Sequence, residues 1–472
     1  MNQKTIQTDV AIIGAGTAGL YALREVRRAN KQFVLIDKGP LGTTCARVGC
    51  MPSKLALHEG AIQRLQQNPA NQSGTVDADK LNDTWAQLQA QRDFFANRAS
   101  NMAISAAQEH LLTGTARFLD PTSLEVSNNG QTTLVHAKKV IIANGSRPAV
   151  PGWLDPVLEY TVSTDELFEL KELPSSIGIL GLGAIGMEMG LALSRLGIKV
   201  VGADLSPAIA GITDPQINEQ AIARFSQEME LWLGQPTAVS LAEKGVLLQS
   251  GKRQARVDLL LAALGRRPNL DSLNLQEAGF PLNEKGIPAF NPHTMQITDL
   301  PVFLAGDCTG SKTLMHEASA EGSIAGFNAV QDSPVCFRRM VSLGIAFSDP
   351  DVFSAGASKA ELADRNIITG KAEGGANGRA RILHEEKSLL HIYADATSGR
   401  ILGAAGMTTR GEHLAHLLAW AIQRKETAAS LLQMPFYHPV LEEMVQSALQ
   451  DIVRQMPAQS PYPFGLSVLN CD

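Results

Sequence analysis

The stretch Val10-Ala-Ile-Ile-Gly14-Ala-Gly16-Thr-Ala-Gly19 decides the fold, because the chain contains it twice. It returns 167 positions later as Ile177-Gly-Ile-Leu-Gly181-Leu-Gly183-Ala-Ile-Gly186. In each copy an apolar strand runs into GxGxxG, a helical stretch follows, and a second apolar strand ends in aspartate. Those second strands are Phe33-Val-Leu-Ile-Asp37 and Val200-Val-Gly-Ala-Asp204, and each acid stands 23 residues past the first glycine. A lone GxGxxG is weak evidence; strand, glycines, helix and acid in register, repeated, are strong evidence. The first glycine makes a tight turn, the second admits a pyrophosphate, and the third lets helix and strand pack closely. The helix N-terminus faces the phosphates and the acid accepts from ribose hydroxyls.

The expected fold class is therefore α/β, with two Rossmann-like dinucleotide-binding domains and more chain besides. At 472 residues the protein is too long for one core. With 44% hydrophobic and 19% charged residues it has the composition of an ordinary globular protein. A net charge of -6 and a pI near 6.0 leave no basic footprint for nucleic acid and no polybasic signal for anionic membrane. The most apolar run, Ile177 to Met187, stops at Glu188, well short of a span. Five cysteines in so long a chain are not a secreted disulfide framework, and no signal peptide is apparent, so a cytoplasmic location is expected.

Helices are expected over Leu55–Leu65 and Lys80–Glu109, joined by a polar link around Asn68–Asp79. Strands are expected over Leu111–Phe118, Ser123–Ser127 and Thr132–Val135, with Asn128-Asn129-Gly130 as a turn. A buried strand at Val140 runs into Asn144-Gly145-Ser146. Val302-Phe-Leu-Ala-Gly306-Asp307 reads as a strand returning to the first domain. From Met340 the pattern becomes antiparallel strands, among them Leu389–Ala394 and Ile401–Met407, with two helices. Domain limits follow: a first nucleotide domain over 1–150, a second over 151–270, a return to the first over 271–339, and a C-terminal α+β domain over 340–472.

After the first acid comes Gly42-Thr43-Thr44-Cys45-Ala46-Arg47-Val48-Gly49-Cys50-Met51-Pro52-Ser53-Lys54. On a regular helix two cysteines five apart have Cα atoms about 8.6 Å apart, whereas a disulfide wants roughly 4.4–6.8 Å. Pairing requires distorted backbone, which Gly49 would most easily permit. The alternative is two unrelated buried thiols. Near the C-terminus, Tyr437-His438-Pro439-Val440-Leu441-Glu442-Glu443 holds an imidazole with a carboxylate five residues on; taken alone it reads as a turn or a satisfied core histidine, and beside a reactive cysteine pair as a base.

Two nucleotide fingerprints, a CxxxxC loop and the Gly306-Asp307 strand end together resemble the flavin-dependent pyridine nucleotide–disulfide oxidoreductases, over nearly the whole chain, and most of all the branch that oxidises dihydrolipoamide. The resemblance implies FAD at the first fingerprint (Gly14, Gly16, Gly19, Asp37, Lys38). Thr44, Lys54, Ala116, Asn144, Gly145, Ser146, Asp307 and Met315 are implied as further cofactor contacts. It implies a nicotinamide nucleotide at the second fingerprint (Gly181, Gly183, Gly186, Asp204), with Gly265 nearby and Glu188 paired to Lys54. Asp204 would repel a 2′-phosphate and no Lys or Arg follows before Arg224, so NAD is favoured over NADP. The resemblance makes Cys45–Cys50 a redox disulfide, Cys45 the interchange thiol and Cys50 the one facing flavin. It makes His438, oriented by Glu443, the base that serves the disulfide of the other subunit, hence a homodimer built by the C-terminal domain. The implied reaction is dithiol:NAD+ oxidoreduction on a lipoyl-bearing protein or small dithiol, with a 2-oxo acid dehydrogenase complex among the partners.

Thr43, Arg47, Asn144, Tyr437 and Val440 depart from that branch's usual residues, and Arg47, Tyr437 and Val440 fall at or beside the expected dithiol site. Two rivals follow, a glutathione-reductase-like disulfide reductase and a low-turnover FAD redox-sensing or assembly protein. No metal site is expected; His413 and His416 read as helix-surface residues, Cys308 and Cys336 as buried and inert, and Cys471 as a tail thiol.

Overall fold

A computed structural model describes residues 4–66, 78–457 and 462–469. The first fingerprint strand, Lys4–Ile13, pairs in parallel with Phe33–Asp37 on one side and Gln131–Ile142 on the other. Leu111–Thr113 extends the sheet beyond Phe33–Asp37. Val10, Ala11, Ile12 and Ile13 are buried on both faces, which is why this strand is a continuous apolar run.

Where two strands were expected around Thr132 and Val140, the structure has one strand of twelve residues. Its first half pairs antiparallel with Ser123–Asn128, and its end, Val140–Ile142, pairs in parallel with Val302–Leu304. Along one edge the strand serves these two neighbours in turn while Lys4–Ile13 pairs along the other, so the polar residues Lys138 and Lys139 do not interrupt it. The stretch expected as one strand from Leu111 to Phe118 is broken at Gly114, whose φ is +155°.

The second fingerprint strand, Ser176–Leu180, lies between Lys199–Asp204 and Leu259–Ala262, all parallel. A separate antiparallel sheet, Ala238–Leu241, Val246–Ser250 and Arg253–Val257, packs beside it. The chain crosses between the two nucleotide units twice, through Ser146–Pro148 and Arg266–Pro268, and the crossings pair antiparallel.

The C-terminal domain is a five-stranded antiparallel sheet in the order Leu343–Ala346, Asp351–Gly356, Ile401–Thr408, Leu389–Asp395, Ile367–Glu373. The amphipathic helices Gly411–Arg424 and Glu443–Gln455 bury Leu414, Leu418, Met444, Leu449 and Ile452 in the same core as that sheet. Two shorter helices, Gly378–Ile382 and Ala428–Leu432, add to the two expected.

Helix Met315–Ala329 returns to the first domain and lies against helix Thr17–Arg28. A Cβ on Gly322 would come within 2.1 Å of the Ala18 carbonyl, and one on Gly326 within 2.4 Å of the Ala22 carbonyl. Only glycine permits this approach. Among the described residues no helix is long and apolar enough to cross a membrane, and no group of three or more His, Cys, Asp or Glu could hold a metal.

Candidate active site

The two fingerprints fold by the same contacts. Gly14 and Gly181 have φ of +105° and +92°. A Cβ on Gly19 would lie 1.8 Å from the Gly14 carbonyl, and one on Gly186 would lie 1.9 Å from the Gly181 carbonyl. The middle glycines differ: a Cβ on Gly16 or Gly183 would meet nothing within 4 Å. That open space sits at the N-terminus of helices Thr17–Arg28 and Ala184–Arg195, neither of which has a side-chain cap or an acid in its first turn. Free N–H groups with no competing anion suit a pyrophosphate at each place.

The aspartates pin the turns. Asp37 accepts from Ala15 N at 2.6 Å and Gly39 N at 2.7 Å; Asp204 accepts from Leu182 N at 2.6 Å and Ser206 N at 2.8 Å. Each oxygen keeps a lone pair for a ribose hydroxyl. Lys38, beside Asp37, is exposed. Ala116 is buried in the apolar core, so only its backbone can reach a ligand.

A cleft with a cavity volume of about 250 Å³ joins the two units. Gly16, Thr44, Cys45, Cys50, Lys54, Gly145, Asp307 and Met315 line it from one side, and Ala184, Ile185 and Glu188 from the other. Ile345 adds the C-terminal domain. The open cradle at Gly16 and a polar group on the cleft wall fit FAD. That group is Asp307, which accepts from Ser146 Oγ at 2.8 Å, while Arg266 donates to Ser146 Oγ at 2.7 Å and to the Ser146 carbonyl at 2.9 Å. Gly306, with φ of +82°, turns the chain into Asp307 and donates to Glu321 at 2.8 Å. Asn144 and Asn269 exchange amide-to-carbonyl hydrogen bonds, holding the 144–146 turn against the second crossing.

The cysteine loop is two helices with a break between them. Thr44–Arg47 ends at Val48, and Cys50–Gln66 starts afresh. Gly49 does not take a left-handed φ; it is needed for space, since its Cβ would lie 3.0 Å from the Thr44 carbonyl and 3.3 Å from Cys45 Cα. Positive φ falls earlier in the loop, at Gly42 (+116°) and at β-branched Thr43 (+58°), whose hydroxyl caps the short helix by accepting from Ala46 N at 3.2 Å. The break brings Cys45 and Cys50 together as free thiols within hydrogen-bonding reach of each other.

Their environments drive them apart in acidity. The hydrogen bond from Cys45 and the charge of Lys54 outweigh burial and bring the Cys50 thiol down to about 7. Its bond to Cys50, together with burial, pushes the Cys45 thiol far up. In the reduced pair Cys50 is therefore the thiol that ionises first. Lys54 Nζ lies 2.7 Å from Glu188 Oε2 and 4.6 Å from the centre of the Phe347 ring. Arg47 does not line the cleft; its stem packs on Gly42, and burial holds the Asp165 carboxyl above the ordinary range against the opposing charges of Arg266 and Arg47.

His438 and Glu443 stand apart from this cleft. The His438 side chain is 77% exposed, with Nδ1 3.0 Å and 3.2 Å from the Glu443 oxygens. Although its desolvation works the other way, Glu443 is held below the ordinary carboxylate range by His438 and by Val440 N at 3.0 Å. Within one chain the imidazole and the cysteines do not meet, so a shared site requires a second subunit.

Cys308 is fully buried, and burial pushes its thiol up to about 12; Cys336, expected to be buried, is exposed. Its neighbours form the irregular crossing into the C-terminal domain, which carries no apolar period to bury it. His413 and His416 lie on the exposed face of their helix. Cys471 and the link around Asn68–Asp79, up to residue 77, fall outside the described residues. Sequence reasoning did not assign Arg266 or Phe347 to the site. Arg266 was visible only as part of the closing Gly265-Arg266-Arg267-Pro268 turn, and Phe347 carried no local signal.

A family model described as pyridine nucleotide-disulphide oxidoreductase matches residues 8–322, and one described as its dimerisation domain matches residues 343–449. A dihydrolipoyl dehydrogenase of Bacillus subtilis is 25% identical over 459 residues, covering 94% of this chain and 96% of the relative. A mercuric reductase of Staphylococcus aureus is 28% identical over 437 residues, covering 88% and 77%. The solved copper(II) complex of the HOCl-induced flavoprotein disulfide reductase RclA from Escherichia coli has a TM-score of 0.81 at 22% identity, covering 95% and 99%. LpdA from Mycobacterium tuberculosis also has a TM-score of 0.81, at 20% identity, covering 94% and 99%. At those identities the structural likeness speaks to the fold.

Proposed function

The chain belongs to the pyridine nucleotide-disulphide oxidoreductase family, and on that premise we propose that it oxidises a dithiol, dihydrolipoamide or a lipoyl-bearing protein, with NAD+ as acceptor. It is a flavoprotein disulfide oxidoreductase of a family that uses FAD and NAD(H), and its dimerisation domain supports a homodimer. The observation that carries the substrate reading is the juxtaposed Cys45 and Cys50 facing a cleft walled by Lys54 and Glu188.

In the oxidised state the two sulfurs form a disulfide. The partner subunit's His438, its Nδ1–H held by Glu443, accepts a proton from the dithiol substrate. The resulting substrate thiolate attacks Cys45 Sγ; the Cys45–Cys50 bond breaks and Cys50 leaves as thiolate. The second substrate thiol displaces Cys45 from the mixed disulfide, so the substrate is oxidised and the protein pair holds two electrons. Cys50 is the right leaving group because its thiol is the more acidic of the two. FAD, when bound, supplies the two-electron carrier between this pair and the nicotinamide. Gly16, Asp37 and Asp307 would hold it, with Lys54 beside Cys50. Asp204 and the open Gly183 cradle would hold NAD rather than NADP, because Asp204 would repel a 2′-phosphate and no Lys or Arg follows it before Arg224.

Tyr437 and Val440, beside His438, favour a second reading, in which the same relay serves another disulfide substrate or turns over slowly as a redox sensor. NADH production from dihydrolipoamide separates the two. A flavin-loaded dimer with a reducible disulfide and no such activity would reject the dihydrolipoamide assignment.

A further inference from the structure

The second nucleotide unit and the C-terminal domain meet at a buried polar cluster that the reaction above does not use. Asp214, His391 and Tyr393 are all fully buried. One carboxylate oxygen of Asp214 accepts from His391 Nδ1 at 2.8 Å, Tyr393 Oη at 2.9 Å and Lys359 Nζ at 3.2 Å. All three donors belong to the C-terminal domain. The other oxygen caps helix Pro215–Phe225, accepting from Gln216 N at 3.0 Å and Ile217 N at 3.4 Å. Against its burial, these bonds hold the Asp214 carboxyl far below the ordinary range. His391 Nε2 is buried with no partner, so the imidazole gains its hydrogen bond only through Asp214.

Contacts run from this cluster to the second fingerprint. Asn218, one turn into the capped helix, donates to the Pro207 carbonyl at 3.2 Å and accepts from Ile209 N at 3.1 Å. Ala210, at φ of +52°, donates to the Leu182 carbonyl at 2.8 Å, and Leu182 N in turn donates to Asp204. The loop 205–213 is thus held at one end by the fingerprint and at the other by a helix whose first turn is fixed from the neighbouring domain. Gln216 and Gln220 add bonds from that helix to Lys371 Nζ and the Lys387 carbonyl, at 2.8 Å and 3.0 Å.

We propose that Asp214 is a positioning residue for the nicotinamide nucleotide, using the C-terminal domain to fix the loop that follows Asp204. This rests on the reading of the second fingerprint as the NAD site. Contiguity alone does not establish coupling, which must be measured. In flavin-loaded dimer, Asp214→Asn keeps an acceptor for the helix cap but turns an amide toward three donors. Tyr393→Phe removes one donor and keeps the ring, and serves where the stronger variant fails to fold. Amide exchange of residues 205–213 is expected to speed up by tenfold or more in Asp214→Asn and severalfold in Tyr393→Phe, on the order of local-opening effects. The NADH dissociation constant should rise about tenfold in Asp214→Asn, while dithiol reduction of the bound flavin stays within about twofold. Unchanged exchange in the loop, or equal loss in both half-reactions, overturns the proposal. A loosened loop with unchanged NADH affinity also overturns it. If Asp204→Ala then leaves NADH affinity unchanged as well, the failure lies in the nucleotide assignment and not in Asp214.

Discussion

Lys54 Nζ and Glu188 Oε2 stand 2.7 Å apart although 134 positions separate them in the chain. The second Glu188 oxygen accepts from Phe347 N at 3.0 Å, so one buried carboxylate ties together both nucleotide units and the C-terminal domain. Its charge also opposes the Cys50 thiolate. Glu188→Gln should therefore lower the Cys50 midpoint from about 7, by roughly half a unit to one unit, so that the thiolate persists to lower pH. It should also destabilise the fold by about 1–2 kcal/mol, less than a fully buried pair because Lys54 is partly solvated. Ultraviolet titration of the reduced protein and thermal unfolding read both effects; a midpoint that stays in place contradicts the electrostatic part.

The glycines of the first fingerprint separate folding from binding. Gly19→Ala places a Cβ 1.8 Å from the Gly14 carbonyl and should destabilise the domain, by about 1–3 kcal/mol or more. Gly16→Ala meets nothing in the protein, so it should unfold as the native chain does and lose FAD retention. Melting curves of FAD-stripped protein beside flavin content after gel filtration check this. Normal FAD retention in a folded Gly16→Ala protein would show that the pyrophosphate does not lie there.

What could be read from sequence was what local spacing encodes. Gly14, Gly16, Gly19 and Asp37 state their geometry within 24 residues, and the second copy repeats it. The Cys45–Cys50 spacing announced distorted backbone, and Gly49 permits it by leaving space beside Thr44 and Cys45. The positive φ values lie earlier, at Gly42 and at Thr43, and Thr43 is a residue type that gives no hint of it. Arg266, Phe347 and Asp214 owe their partners to chain segments tens to hundreds of residues away, and no periodicity marks such pairings. Strand Gln131–Ile142 looked like two strands because its lysines fall between the pairing with Ser123–Asn128 and the pairing with Val302–Leu304.

Asp204 reads the ribose in this account and also pins Leu182 N and Ser206 N. Asp204→Ala should raise the NAD+ dissociation constant about tenfold and narrow discrimination against NADP+, since the charge that repels a 2′-phosphate is gone. Equilibrium binding of both nucleotides measures it. An unchanged preference would show that the acid serves the turn alone.

His438 lies exposed and away from the cysteines of its own chain. His438→Ala should slow dithiol oxidation by about 10²–10⁴-fold, the usual worth of a positioned base. Mixed with Cys50→Ser chains, it should form hybrid dimers with one intact site, restoring about a quarter of native activity if subunits exchange at random across a two-fold interface. No recovery in verified hybrids would place the histidine and the cysteines in the same chain.

The relay itself is tested most directly by anaerobic titration of the flavin-loaded protein with dihydrolipoamide, followed by visible absorbance in the native chain and in Cys50→Ser. The native protein should take up electrons with growth of a long-wavelength thiolate–flavin band. Cys50→Ser should keep its FAD, show no such band and fail to reduce NAD+. Native-like reduction of NAD+ by dihydrolipoamide in Cys50→Ser would contradict the relay.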